Sequence, residues 1–202
     1  MTTDRARQYL QELTGERWTG VSFHWQRVPE GDPAAGPARL CEAVCESFDR
    51  TFVLPSELVR CPGACRSLGL NGCDVRDLAK RMSEKTHLPS DLVRRVVAGT
   101  PRLDTPPAAV ELGRIDNPDV LVSYLRPDSA MRLVRRCQEA HRVNMEISLS
   151  SFIAVCGNVI VRAFKLGRPA LSFGCPDSRE YGGIPADKLV FGMPYHLAER
   201  LC

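Results

Sequence analysis

The sequence predicts an α/β fold with a central, mixed and partly parallel sheet flanked by helices, built as a single domain over residues 1–202. Two observations predict it. Short runs rich in β-formers alternate with stretches of helical periodicity, the mark of helices packed on a sheet. One arrangement also occurs twice. A helix-like stretch carries a cysteine within Ala43-Val44-Cys45 or Ala154-Val155-Cys156, a short apolar run follows, and a tight Cys-Pro turn closes the unit at Cys61-Pro62-Gly63-Ala64-Cys65 or Gly174-Cys175-Pro176-Asp177-Ser178. The echo predicts two related halves that bring several thiols toward one place.

In order, Thr3–Gly15 reads as a short amphipathic helix with Tyr9, Leu10 and Leu13 on one face. Val21–Trp25 alternates and reads as a strand, and Pro29–Pro37 as a loop. Arg39–Phe48 is helix-like and sets Cys41 and Cys45 four residues apart, on one face. Thr51–Leu54 is a strand, after which Cys61-Pro62 opens a short helix that stops near Gly69. Asn71-Gly72-Cys73 is a turn. The charged stretch Asp74–Lys85, apolar at Val75, Leu78, Ala79 and Met82, and the stretch Pro89–Ala98 form a helical hairpin inserted at about residues 73–100.

Pro101–Pro118 is proline-rich and expected to be extended. Val120–Leu125 is the strongest strand signal in the chain. Pro127-Asp128-Ser129 opens a helix to His141, with Ala130, Leu133, Val134 and Cys137 at i, i+3, i+4 and i+7. Met145–Leu149 reads as a strand, and Ser150-Ser151 begins a largely apolar helix through Cys156 to Phe164. Ala170–Phe173 and Leu189–Gly192 are strands, and Tyr195–Leu201 is a closing helix.

Composition sets bounds on function. Hydrophobic content of 44% and charged content of 25% are globular values. A net charge of +3, with arginines spread among acids, gives no nucleic-acid footprint. No apolar run reaches the roughly 18–20 residues that a membrane span needs. Met1-Thr2-Thr3-Asp4-Arg5 is polar and unlike a signal peptide. A cytoplasmic location is therefore expected, with no nucleic acid and no membrane among the partners. In that reducing compartment nine cysteines, an odd number, are not a disulfide framework.

Cys61, Cys65 and Cys73 form a C-x3-C-x7-C run, which Cys41, Cys45, Cys156 and Cys175 are able to join from other elements. Thiolates bind zinc tetrahedrally and also hold iron–sulfur clusters. Zinc ribbons announce themselves by paired C-x2-C spacings, which are missing here. An x3 spacing across a Pro-Gly turn, completed from distant helices, points to a cluster pocket. Redox-active thiols and inert buried thiols are the alternatives. Cys137, on an apolar stripe, and Cys202 fit inert thiols. Backbone N–H groups after Cys61 and Cys175 are expected to point into the same pocket. The loop Gly174–Gly183 follows a strand, where α/β proteins place binding residues, and Arg179, Glu180 and Tyr181 are its candidates for orienting a ligand. Ser148, Ser150, Ser151 and Asn158 lie near Cys156 and are candidates for hydrogen bonds to sulfur or substrate. The four histidines stand alone, and the chain has no HExxH, Walker loop or GxGxxG.

Leu40-Cys41-Glu42-Ala43-Val44, Cys61-Pro62-Gly63-Ala64, Leu68-Gly69-Leu70, Pro118-Asp119-Val120-Leu121-Val122, Ala130-Met131-Arg132-Leu133, Ala154-Val155-Cys156, Leu171-Ser172-Phe173-Gly174-Cys175 and Phe191-Gly192-Met193-Pro194 occur in that order. In these segments the chain resembles an uncharacterised cysteine-rich prokaryotic family, domain of unknown function 169, from about Arg39 to Leu201. The resemblance implies recurring cysteines at Cys41, Cys61, Cys156 and Cys175, with Cys45, Cys65 and Cys73 as extras. It carries no settled activity.

The expectation is a cysteine-ligated metal protein holding an iron–sulfur cluster of the 4Fe–4S type, with zinc as the alternative metal. Three protein ligands would leave an iron open as a Lewis acid for sulfur transfer or dehydration. Four would favour electron transfer or a structural role. A small-molecule substrate or a redox partner protein is implied, and a homo-oligomer is compatible with the sequence. The alternatives are a non-enzymatic thiol metal binder or redox sensor, and a small-molecule binding module with structural cysteines.

Overall fold

The computed structural model describes residues 3–142 and 151–201. Among them a six-stranded sheet has the order β2-β3-β1-β4-β6-β5. Its strands are β1 Thr19–His24, β2 Phe52–Pro55, β3 Ala109–Gly113, β4 Val120–Leu125, β5 Ala170–Ser172 and β6 Leu189–Pro194. The helices are α1 Thr3–Thr14, α2 Leu40–Glu46, α3 Pro62–Ser67, α4 Val75–Thr86, α5 Ser90–Gly99, α6 Pro127–His141, α7 Arg162–Leu166, α8 Pro176–Glu180 and α9 Tyr195–Ala198. A π-helix, Ala154–Val161, runs directly into α7.

Every pair of neighbouring strands is antiparallel, which corrects the partly parallel sheet. The physical reason lies in the third strand of each half. β1 and β2, joined through α2, do run in the same direction, but β3 inserts between them, antiparallel to both. Likewise β6 inserts between β4 and β5. The crossovers have the sense that strand–helix–strand alternation predicts, but their strands are not neighbours. Among the described residues the parallel pairings are two isolated bridges, Pro33 with Val53 and Ala38 with Val59. There the loop before α2 lies along β2 and covers an otherwise open edge.

The order also pairs β1 with β4, β3 with β6 and β2 with β5 about the centre of the sheet, and a Cys-Pro turn and short helix follow each outer strand. β3 was not expected as a strand. The prolines around it, Pro106, Pro107 and Pro118, hide a five-residue run that donates and accepts on both sides.

Side chains alternate between two cores, as the pleat requires. Val120, Val122 and Tyr124 of β4 face the first, with Val21, Phe23, Phe52, Leu54, Val110 and Leu112. Leu121 and Leu125 face the second, with Phe191 and Met193. The second core is closed by α1, α6 and α9, where Leu10, Leu133, Cys137 and Ala198 are buried. The π-helix and α2–α5 cover the first. All eight residues of the π-helix are buried. It comes so close to β6 that a Cβ on Gly192 would meet Val159 Cγ1 at 2.7 Å. The strand expected at Met145–Leu149 lies outside the described residues, as do Ser148, Ser150 and Cys202.

Candidate functional site

Cys41, Cys61, Cys156 and Cys175 line one cavity of about 190 Å³ in the first core. They arrive on four different elements. Cys41 sits in the first turn of α2, which begins where Glu42 accepts the Arg39 N–H at 2.9 Å. Cys61 is the N-cap of α3, with Pro62 at the first helical position and Gly63 and Ala64 leaving the wall free of bulk. Cys175 is the N-cap of α8, again followed by proline. The Ser178 hydroxyl accepts the Cys175 N–H at 2.7 Å and donates to its carbonyl at 2.9 Å, which fixes the turn. α3 has six residues and α8 five, so their dipoles add little to the pocket.

Cys156 comes from the π-helix, a rare geometry that concentrates at functional sites. No local pattern signals it; the stretch reads as an ordinary apolar helix. Its start is strained: Ile153, β-branched, holds φ +50° and is buried against the cavity. Asn158 enforces that start. Its N–H donates to the carbonyl of Ile153, five positions back, at 3.0 Å, and its side-chain amide donates to the Phe152 carbonyl at 3.0 Å. Asn158 therefore holds the helix and does not face sulfur. A Cβ on Gly157 would meet Thr100 Cγ2 at 2.4 Å and Ser67 Oγ at 2.9 Å, so glycine sets how closely Cys156 approaches α3.

Burial pushes the Cys41 thiol up to about 12, with Cys61 and Cys175 adding to the shift. Burial also pushes Cys156 well up, reinforced by Cys61 and Cys175 and opposed by a hydrogen bond with Ser67. Cys41 and Cys156 thus both sense Cys61 and Cys175 across the cavity. Charged groups stand at its mouth. Asp177 pairs with Lys85, and more loosely with Arg39 at 3.8 Å. The Arg39 guanidinium lies 4.1 Å over the Tyr181 ring. Burial lowers the Arg39 pKa, but Cys61 and Asp177 outweigh it and the net shift is upward.

The remaining cysteines are elsewhere. Cys45 shares the α2 helix with Cys41 but lines a different pocket, with Phe48, Tyr124 and Gly183. Four residues advance about 6 Å along a helix axis, enough to leave a small cavity. The Ala-Val-Cys echo therefore matches Cys156 with the wrong cysteine of α2. Cys65 donates to the Val59 carbonyl at 3.5 Å and Cys73 to the Pro62 carbonyl at 3.1 Å, which places both beside the Cys61 turn without lining the cavity. Cys137 is buried in the second core and is pushed up to about 12 by that burial. All cysteines among the described residues are free thiols.

In the Gly174–Gly183 loop, Arg179 is committed to the backbone that flanks the loop. Arg179 donates to the carbonyls of Phe173, Pro185 and Lys188, so it clamps the loop. Gly182 packs where a Cβ would meet Cys41 Cβ at 3.0 Å, and Gly183 where it would meet Cys45 Sγ at 2.9 Å. Glu180 is exposed and Tyr181 is engaged by Arg39. Ser151 is exposed and does not line the cavity. What sequence reasoning missed is the wall made by Leu78, Arg81, Met82 and Lys85. Their i, i+3, i+4 and i+7 spacing marks one face of α4, but nothing local says what that face meets.

Residues 19–202 match the family model for domain of unknown function 169, described as an uncharacterised ArCR. The chain belongs to this family. No curated protein and no solved structure matches the chain. Among the described residues no group of three or more His, Cys, Asp or Glu side chains is arranged to hold a metal ion, and no helix is long and apolar enough to cross a membrane.

Proposed function

We propose that this member of the family is a cysteine-ligated iron–sulfur protein whose cluster, of the 4Fe–4S type, is held by Cys41, Cys61, Cys156 and Cys175. The observation that carries this is the convergence of four free thiols from four elements on one apolar-walled cavity. A single zinc needs all its sulfurs about 2.3 Å from one point. Thiols that arrive on four separate elements around one cavity suit a polynuclear cluster that is ligated at separate irons. When bound, such a group supplies electron transfer or, with one iron free of protein, a Lewis acid.

The chain's own residues do the rest. Leu40, Ile153 and Val155 exclude water, Ser67 holds Cys156, and the cations at the mouth offset thiolate charge. Free thiols at every cysteine among the described residues support a reducing, cytoplasmic setting. The implied partner is a small-molecule substrate or a redox protein.

The test is anaerobic purification, then iron, zinc and acid-labile sulfide analysis with an absorption spectrum. Iron and sulfide in near-equal amounts, lost in each single Cys→Ser variant of the four but not in Cys137→Ser, is the expected result. Wild-type chain free of iron and sulfide would overturn the proposal. Zinc without sulfide would move the reading to a thiol metal binder or redox sensor, which Cys65 and Cys73 beside the Cys61 turn favour.

A further inference from the structure

We infer that the cavity mouth binds a small organic monoanion, a carboxylate on a short apolar stem, through Arg81; this rests on the proposed function only for the cavity, and needs no metal. Leu78, Arg81, Met82 and Lys85 put one face of α4 against the cysteine cavity. The acidic side chain among the lining residues is Asp177, and Lys85 and Arg39 already pair with it. Arg81 is different: it makes no ion pair and no hydrogen bond with any of the described residues, yet it lines the cavity.

One guanidinium with no ion pair among the described residues matches one negative charge, and its planar fork suits a carboxylate held by two hydrogen bonds. Leu78 and Met82 flank it on the same helix, with Pro62 and Ile153 also lining the cavity. An apolar body below a single charged head fits that lining, whereas a multiply charged phosphate or a polar sugar would leave groups unpaired. The α4–α5 hairpin, which the sequence marks as an insertion, would then select the ligand.

The experiment is isothermal titration of the full chain with butyrate, hexanoate and butylamine, with iron measured on the same sample. Both carboxylates are expected to bind, hexanoate about ten-fold more tightly for its two extra methylenes, and butylamine not at all. Arg81→Gln, at an exposed helix position, is expected to weaken carboxylate binding about ten-fold or more. Arg81→Lys should lose less, and Leu78→Ala should erase the preference for hexanoate. Equal binding to wild type and Arg81→Gln, binding of butylamine, or no carboxylate binding overturns the inference. Metal present without Arg81-dependent binding removes this inference alone. Arg81-dependent binding by a metal-free chain supports it while removing the cluster.

Discussion

Gly157→Ala isolates the packing that presents Cys156. A Cβ there would meet Thr100 Cγ2 at 2.4 Å, Ile153 Cγ2 at 2.9 Å and Ser67 Oγ at 2.9 Å. None of the three can step aside. Thr100 Oγ1 donates to the Val96 carbonyl, Ser67 Oγ to the Gly63 carbonyl, and Ile153 is buried in a strained backbone. The added methyl must therefore push the π-helix away from α3. Overpacking of this kind costs about 1–3 kcal/mol, more than the helix propensity that alanine gains. For a chain of this length that is about 2–12 °C in Tm.

The assay is thermal unfolding beside Gly99→Ala, a helix-end glycine with nothing within 4 Å of its would-be Cβ. The control should match or exceed wild type by up to about 1 kcal/mol. If the proposed cluster is bound, Gly157→Ala should also lower iron content, since Cys156 moves relative to Cys61. Wild-type stability and metal content in Gly157→Ala would refute the reasoning.

Other expectations follow from the same geometry. Ser178→Ala removes both hydrogen bonds that fix Cys175, and should cost about 0.5–2 kcal/mol in urea unfolding and lower metal occupancy. Arg179→Ala frees three carbonyls and should destabilise by about 1–3 kcal/mol, with Arg179→Lys failing to rescue because one ammonium cannot span three acceptors. Cys137 is held protonated up to about 12 in the fold, against an ordinary 9.0. A raised folded value stabilises fully below pH 9 and is lost as pH rises from 9 toward 12. The urea midpoint should therefore fall over that range, and fall less in Cys137→Ala.

Much of this protein was legible locally. Val120–Leu125 is legible to the residue because five of its six side chains are apolar or β-forming, and in the fold all six are buried. The helix Pro127–His141 was likewise fixed by a proline start and an apolar stripe. The resemblance picked out four cysteines, and those four line the cavity. Composition shows globular apolar content and nine cysteines, because both depend only on which residues are present.

Tertiary structure decided the rest, since pairing is a contest between segments that sequence order does not rank. β3 won the place between β1 and β2, and turned an expected mixed, partly parallel sheet antiparallel. Cys45 and Cys41 share a helix face, but only Cys41 reaches the cavity, because the translation along the axis matters once the cavity is small. The π-helix exists because Ile153 is forced to positive φ and Asn158 ties down the carbonyls before it. Arg81 lines the cysteine cavity because the α4–α5 hairpin folds back over elements as distant in sequence as Cys156 and Cys175, a placement that no local pattern encodes.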